Sequence, residues 1–125
     1  MAKATISIPS QSYTPNTRTV TLPNLTTDDN GISATLTRES WPDTGGVILT
    51  IQFQGSDDGT NFYDLARFTY PGGDQVNPRT GQPVTFIKPT VEWPSRNGVP
   101  QRPAKARAII TNTVTITTAI TLTGY

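Results

Sequence analysis

Histidine and cysteine are both absent from the 125 residues. Their absence excludes an imidazole base, a histidine or thiolate metal ligand, a thiolate nucleophile and a disulfide framework. Chemistry is left to carboxylates, hydroxyls, lysine and arginine. Charge is scarce as well: 15% of residues are charged, against about a quarter in an ordinary domain. Neutral polar groups, chiefly threonine, must therefore cover the surface. No apolar run approaches the ~20 residues of a membrane-spanning helix, and Met1-Ala2-Lys3 leads into Thr5-Ile6-Ser7-Ile8 without a hydrophobic signal core. These absences predict a chain made in a cytoplasm, neither exported by an N-terminal signal nor embedded in a membrane.

What is present is a β composition. Threonine is β-branched and sits well on a pleated, half-exposed face, and Gly 10 with Pro 11 supply turns. At 13.5 kDa the chain is one domain in size. The pattern has period two through most of its length. Val47, Leu49, Ile51 and Phe53 fall on one side of the run from Val47 to Gln54, and Val114, Ile116, Ile120 and Leu122 on one side of the run from Val114 to Thr123. The second run reads either as one strand or as a turn around Thr113 to Thr117 followed by a strand from Thr118. Shorter strands are expected at Thr5 to Ile8, Arg18 to Leu22, Ile32 to Arg38, Phe62 to Tyr70, Val84 to Ile87 and Lys105 to Thr111. In Phe62 to Tyr70 the apolar parity breaks at Leu65, so a β-bulge or burial on both faces is expected.

About eight strands without an intervening helix predict an all-β, antiparallel β-sandwich, jelly-roll or immunoglobulin-like. Residues 1–17 are expected to form an N-terminal arm and linker, and 18–125 the sandwich domain. Pro71 to Pro83 reads as a long contact loop, and Pro89 to Pro103, with four prolines, as an extended surface segment outside the sheet ladders.

The charge is unevenly placed along the chain. Asp28 to Asp74 holds eight acids and two bases, a balance of −6, and Arg79 to Arg107 holds six bases and one acid, a balance of +5. Such a split either polarises the molecule for docking or cancels inside the fold. The basic segment lacks the interleaved aromatics that single-stranded nucleic acid would want, so no direct nucleic-acid partner is expected.

Gly55-Ser56-Asp57-Asp58-Gly59-Thr60-Asn61-Phe62 reads as a tight hairpin in which Asp57 or Asp58 starts the turn and Gly59 takes positive φ. Its acid spacing does not match an EF-hand loop. Asn30-Gly31 before Ile32 reads as another hairpin turn. Asp64 and Glu92 are the acids beside aromatic neighbours, and a solvated-face reading outweighs a catalytic pair. No phosphate loop, nucleophile elbow or dinucleotide fingerprint occurs. Trp41 and Trp93, each followed by proline, read as lids on the core, with a flat platform for sugar rings as the other option.

Two blocks together carry a resemblance. Leu36-Thr37-Arg38-Glu39-Ser40-Trp41-Pro42 runs through Gly45-Gly46-Val47 to the Ser-x-Asp-Gly-x-x-aromatic hairpin of Ser56 to Phe62, and Lys105-Ala106-Arg107-Ala108-Ile109-Ile110-Thr111-Asn112 forms a late Arg-apolar strand. The combination, over about Ile32 to Asn112, resembles the small β-sandwich structural proteins of tailed bacteriophage virions, including capsid decoration (cement) proteins. The resemblance implies a mechanical role on the virion surface: copies, often trimers, bind the major capsid protein and brace the shell, with no catalytic residue, metal or cofactor. The contacts expected are Lys3, Ile6 and Ile8 on an arm free to add a strand to a neighbour, Asp74 and Arg79 in the long loop, and Arg96 and Arg102 in the basic segment. In the other reading, a glycan- or receptor-binding module of a phage tail or host surface, Trp41 or Trp93 makes the contact.

Overall fold

The computed structural model describes residues 4–22, 25, 30–39, 41, 47–71 and 86–125. Among them no helix occurs. Eleven strands follow in chain order: β1 (Thr5–Tyr13), β2 (Asn16–Thr21), β3 (Gly31–Thr37), β4 (Val47–Ser56), β5 (Tyr63–Pro71), β6 (Phe86–Ile87), β7 (Thr90–Glu92), β8 (Ser95–Arg96), β9 (Val99–Pro100), β10 (Lys105–Asn112) and β11 (Ile116–Gly124). Nine of them make two antiparallel sheets that form a sandwich. A five-stranded sheet runs β1-β11-β3-β6 with β7 also on β3, a four-stranded sheet runs β2-β10-β4-β5, and β8 and β9 make a separate ribbon.

The pairings β1 with β11, β2 with β10, β3 with β6 and β7, and β4 with β5 trace one long antiparallel strip whose tip is the β4–β5 hairpin. Rolling that strip around a core puts alternate pairs in opposite sheets, which is the jelly-roll arrangement rather than the immunoglobulin one. Period-two alternation fills the interior. Leu49, Ile51 and Phe53 of β4, Ala106, Ala108 and Ile110 of β10, Ile32, Ala34 and Leu36 of β3, and Ile116, Ile120 and Leu122 of β11 are all buried. Phe53 and Phe68 meet edge to face at 5.8 Å.

Several expectations need correction. The β4–β5 register slips between Val47 and Leu49, so Ile48 enters the core and Val47 is 52% exposed. On β5 the second slip leaves Leu65 as the extra residue, the expected bulge. The last strand begins at Ile116, after a turn at Thr113–Val114. Asn30-Gly31 does not turn a hairpin, because β2 and β3 lie in different sheets and Gly31 has no positive φ. The proline-rich stretch from Pro89 to Pro103 is not outside the ladders: β7 pairs with Gly31–Ser33, and β8 and β9 close a hairpin over Asn97 (φ 53) and Gly98 (φ 78).

The described part of the expected arm is built into the roll as well. β1 pairs with β11 from Thr5↔Thr123 to Tyr13↔Ile116, and Ile6 and Ile8 pack against the core. An alternating strand with two isoleucines on one face gains more by covering its own sheet than by remaining free. Asn16 is already part of β2, so little remains of a linker.

Two of the chain crossings between the sheets, β1 to β2 and β10 to β11, occur at one corner. There the Asn112 side chain, buried, donates to the carbonyls of Tyr13 (3.2 Å), Thr14 (3.0 Å) and Val114 (2.8 Å). The Arg18 guanidinium lies 3.7 Å over the Tyr13 ring on the same corner.

Candidate interaction surfaces

Inward alternation leaves an equally regular set of residues outside, and register lines them up. On the four-stranded sheet Thr17, Thr111, Thr50 and Thr69 stand directly opposite one another, a single row of threonines across all four strands. The Thr17 and Thr111 hydroxyls are 3.0 Å apart. The five-stranded sheet carries Ser7, Thr121 and Thr35 in one row and Thr5, Thr123, Ser33 and Thr90 in another, in which Ser33 is buried. The hydroxyls of Thr5 and Thr123 are 2.7 Å apart. These rows contain no charged side chain.

On the four-stranded face Arg67 stands exposed opposite Gln52, in the row beside the threonines, and the acidic and basic segments meet towards one end. Arg107 of β10 donates through Nε to Gln54 Oε1 at 2.9 Å, and Gln54 Nε2 donates to Asp64 Oδ1 at 2.9 Å. The same guanidinium lies 3.6 Å over the Phe62 ring. For these residues the two charged segments offset each other across the sheet.

The β4–β5 turn spends its polar groups internally. Asp58 Oδ1 accepts from the backbone N–H of Asn61 (2.7 Å) and Thr60 (2.8 Å) and from the Ser56 hydroxyl (3.0 Å), and Oδ2 accepts from Asn61 Nδ2 (2.8 Å). These donors, the Asn61 amide foremost, hold the Asp58 carboxyl far below the usual carboxylate range. Gly59 takes φ +79, and its N–H donates to Ser56 Oγ. Among the described residues no three acids gather as a metal site would require.

The expected contact residues are scattered. Ile6 and Ile8 are half-buried in β1, Arg96 lies in β8, and Arg102 is exposed on the connection from β9 to β10. Lys3, Asp74 and Arg79 lie outside the described residues. Trp93 is 3% exposed, so its ring is part of the core and presents no flat face. Trp41 is half-buried against the core, and its indole N–H donates to the Thr117 carbonyl at 3.0 Å. The burial of Trp93 is that of a lid on the core, and Trp41 packs against the same core while staying partly exposed. Asp64 and Glu92 lie on different sheets.

One concave feature lies outside these expectations. A cleft of about 490 Å³ opens between Asn30, Glu92, Trp93, Ser95, Gly98 and Tyr125. Three main-chain bonds assemble it: Asn30 N–H to Tyr125 O, Tyr125 N–H to Gly31 O (3.1 Å), and Trp93 N–H to Asn30 O (2.9 Å). Gly31 permits this closeness, since a Cβ there would stand 2.3 Å from the Val91 carbonyl and 2.6 Å from the Tyr125 hydroxyl. Burial, then the Glu92 carboxylate, pushes the Tyr125 phenol up. Asn97-Gly98, an Asn-Gly dipeptide of the kind that forms type I′ turns, is the sequence signal that marks the ribbon. The placement of Tyr125 has no such signal, because it depends on β11 ending beside β3.

No family model matches the chain, and no curated protein matches it. Among solved structures, a crystal structure of PirA aligns over 95% of this chain and 93% of that one, at TM-score 0.46 and 13% identity. A structure of infectious bursal disease virus, Gt strain, aligns over 98% of this chain and 41% of that one, at TM-score 0.24 and 14% identity. At these distances neither likeness assigns a function.

Proposed function

We propose that this chain is a non-catalytic structural protein of a bacteriophage virion that binds the major capsid protein and braces the shell. The observation that carries the reading is the outer surface of the sandwich, where rows of threonine hydroxyls stand in register on both sheets. Broad, shallow, neutral faces of this kind suit lateral contact with another protein better than capture of a small substrate. The jelly roll is shared by viral capsid and lectin domains, and the fold alone does not choose between them. The Ser56 to Phe62 hairpin and the late β10 strand support the virion side through the resemblance they carry. The test is co-sedimentation of the purified chain with shells lacking decoration, together with copy number by quantitative mass spectrometry of particles. Saturable binding in fixed ratio to the shell protein is expected. A handful of copies per particle, or none, overturns the capsid role.

The cleft beside Tyr125 favours a second reading, a glycan- or receptor-binding module. An aromatic ring with an amide, a carboxylate and a hydroxyl around about 490 Å³ suits a neutral polyhydroxylated ligand. Chemical-shift mapping against a glycan panel should then move the Asn30, Ser95 and Tyr125 signals and lose its response in Tyr125→Ala. Silence across the panel ends this reading.

A further inference from the structure

A jelly roll has four sheet edges, and three of them here carry charge. β2 contains Arg18, β5 contains Asp64 and Arg67, and the β6–β7 edge contains Lys88 and Glu92. Charged side chains on an edge oppose pairing with another strand. β1 has none over Thr5–Tyr13, and Thr5 and Ser7 are exposed.

The hydrogen-bond phase of that edge follows from one contact. Gly124 N–H donates to Ala4 O at 2.8 Å, and the register places Ala4 opposite Gly124, so this is a hydrogen-bonded pair. Alternation along an antiparallel ladder then makes Ile6 with Leu122 and Ile8 with Ile120 the next such pairs. The main-chain N–H and C=O of Thr5 and Ser7 must therefore point away from β11, to the side of β1 that pairs with no strand among the described residues. Beyond them the edge closes. Pro9 has no N–H, and the register breaks between Ile8 and Gln11. The open segment is short and self-complementary.

The geometry points to a second copy of this chain as its occupant, joined by antiparallel pairing of β1 with β1 about a two-fold axis at Ile6. In that register the N–H and C=O groups of Thr5 meet those of Ser7 from the other copy, and Ser7 meets Thr5, giving four main-chain bonds with no proline among the donors. Ile6 faces its own counterpart, which carries the apolar inner stripe of one five-stranded sheet into the other. An axis at Ser7 instead would set Thr5 against Pro9 and leave a carbonyl without a donor. Charge does not oppose the pairing, because none is present on the strand. The inference stands apart from the virion reading and is tested on the purified chain alone.

A chain without cysteine makes the register directly readable. In the pairing, Ile6 and its counterpart form a non-hydrogen-bonded pair with Cα atoms about 4.5 Å apart, within disulfide range. Ile6→Cys should give a covalent dimer under mild oxidation, and Ile8→Cys, which faces Ala4 of the other copy, should stay monomeric. Light scattering of the unmodified chain should rise with concentration from 13.5 kDa towards twice that mass. Ser7→Pro removes an N–H that the fold does not use, and should abolish the mass increase while thermal unfolding remains cooperative. A constant 13.5 kDa mass, a threefold mass without the Ile6→Cys link, or a Ser7→Pro variant that still pairs would each overturn the inference.

Discussion

The side-chain amide of Asn112 donates to the main-chain carbonyl of Thr14 at 3.0 Å, tying β10 to the chain crossing from β1 to β2. With Tyr13 and Val114 also accepting, one buried residue serves both the β1–β2 and the β10–β11 crossings. Two amide hydrogens serve three acceptors, so one bond is shared. Asn112→Ala leaves buried carbonyls without a donor, a loss of about 2–3 kcal/mol. For a domain of this size that is a fall of about 10 °C in Tm, read by thermal unfolding. Asn112→Asp should lose more, because a carboxylate would face carbonyl oxygens and offer no donor. A change of less than about 2 °C in Asn112→Ala would mean that the strand ladders hold the corner unaided.

Beside it, the buried Tyr13 hydroxyl has no hydrogen-bond partner among the described residues. Tyr13→Phe removes an unpaired polar atom and keeps the ring under Arg18, so the variant should gain up to about 1 kcal/mol in denaturant unfolding. A loss would show that the hydroxyl is satisfied in solution.

Gly31→Ala places a methyl group 2.3 Å from a backbone oxygen, a neighbour that yields only if β7 moves. The expected cost is about 1–3 kcal/mol by overpacking. Chemical-shift changes should spread to Val91 and to Glu92 and Tyr125, which line the cleft. Unchanged stability with an unchanged Tyr125 environment would contradict the close approach.

Acid should weaken the fold through the β4–β5 turn and the end of β3. Asp58 is held low by its backbone and side-chain donors, and Glu39 is lowered by the hydroxyls of Ser10 and Thr37. A depressed folded value means stabilisation that is complete above the unfolded value, about 4, and is lost as pH falls through the folded one. Asp58→Asn should therefore be less stable than the parent at neutral pH, with the gap closing below about pH 4. A gap independent of pH would assign the effect to geometry rather than to charge.

Removal of residues 1–9 takes away most of an edge strand, not a free arm. Ile6 and Ile8 leave the core margin, and β11 loses its partner from Ile120 to Thr123. The expected loss is about 2–4 kcal/mol, measured by denaturant unfolding. A truncated chain as stable as the parent would restore the arm reading.

Period-two alternation over Val47 to Gln54, Lys105 to Thr111 and Val114 to Thr123, together with the absence of helix-forming segments, was enough to establish an antiparallel sandwich. The Asp58-Gly59 turn was legible too, since its conformation depends on neighbours within a few residues. The Asn97-Gly98 turn was equally legible by that rule, and the four prolines around it obscured it. Val47 was misplaced because a bulge changes parity without leaving a mark in composition.

Local chemistry thus determined that this chain would be β-rich, neutral on its surface and short of the groups that most catalysis requires. Whether β1 was an arm or an edge, whether the roll was a jelly roll, and which hydroxyls would form rows depended on contacts between residues about a hundred positions apart, such as Thr5 with Thr123 and Thr17 with Thr111. An alternating strand states which face it will bury and is silent on its partner. Only closure of the whole strip around one core selects the pairing, because that pairing buries the inward apolar faces of the long strands together.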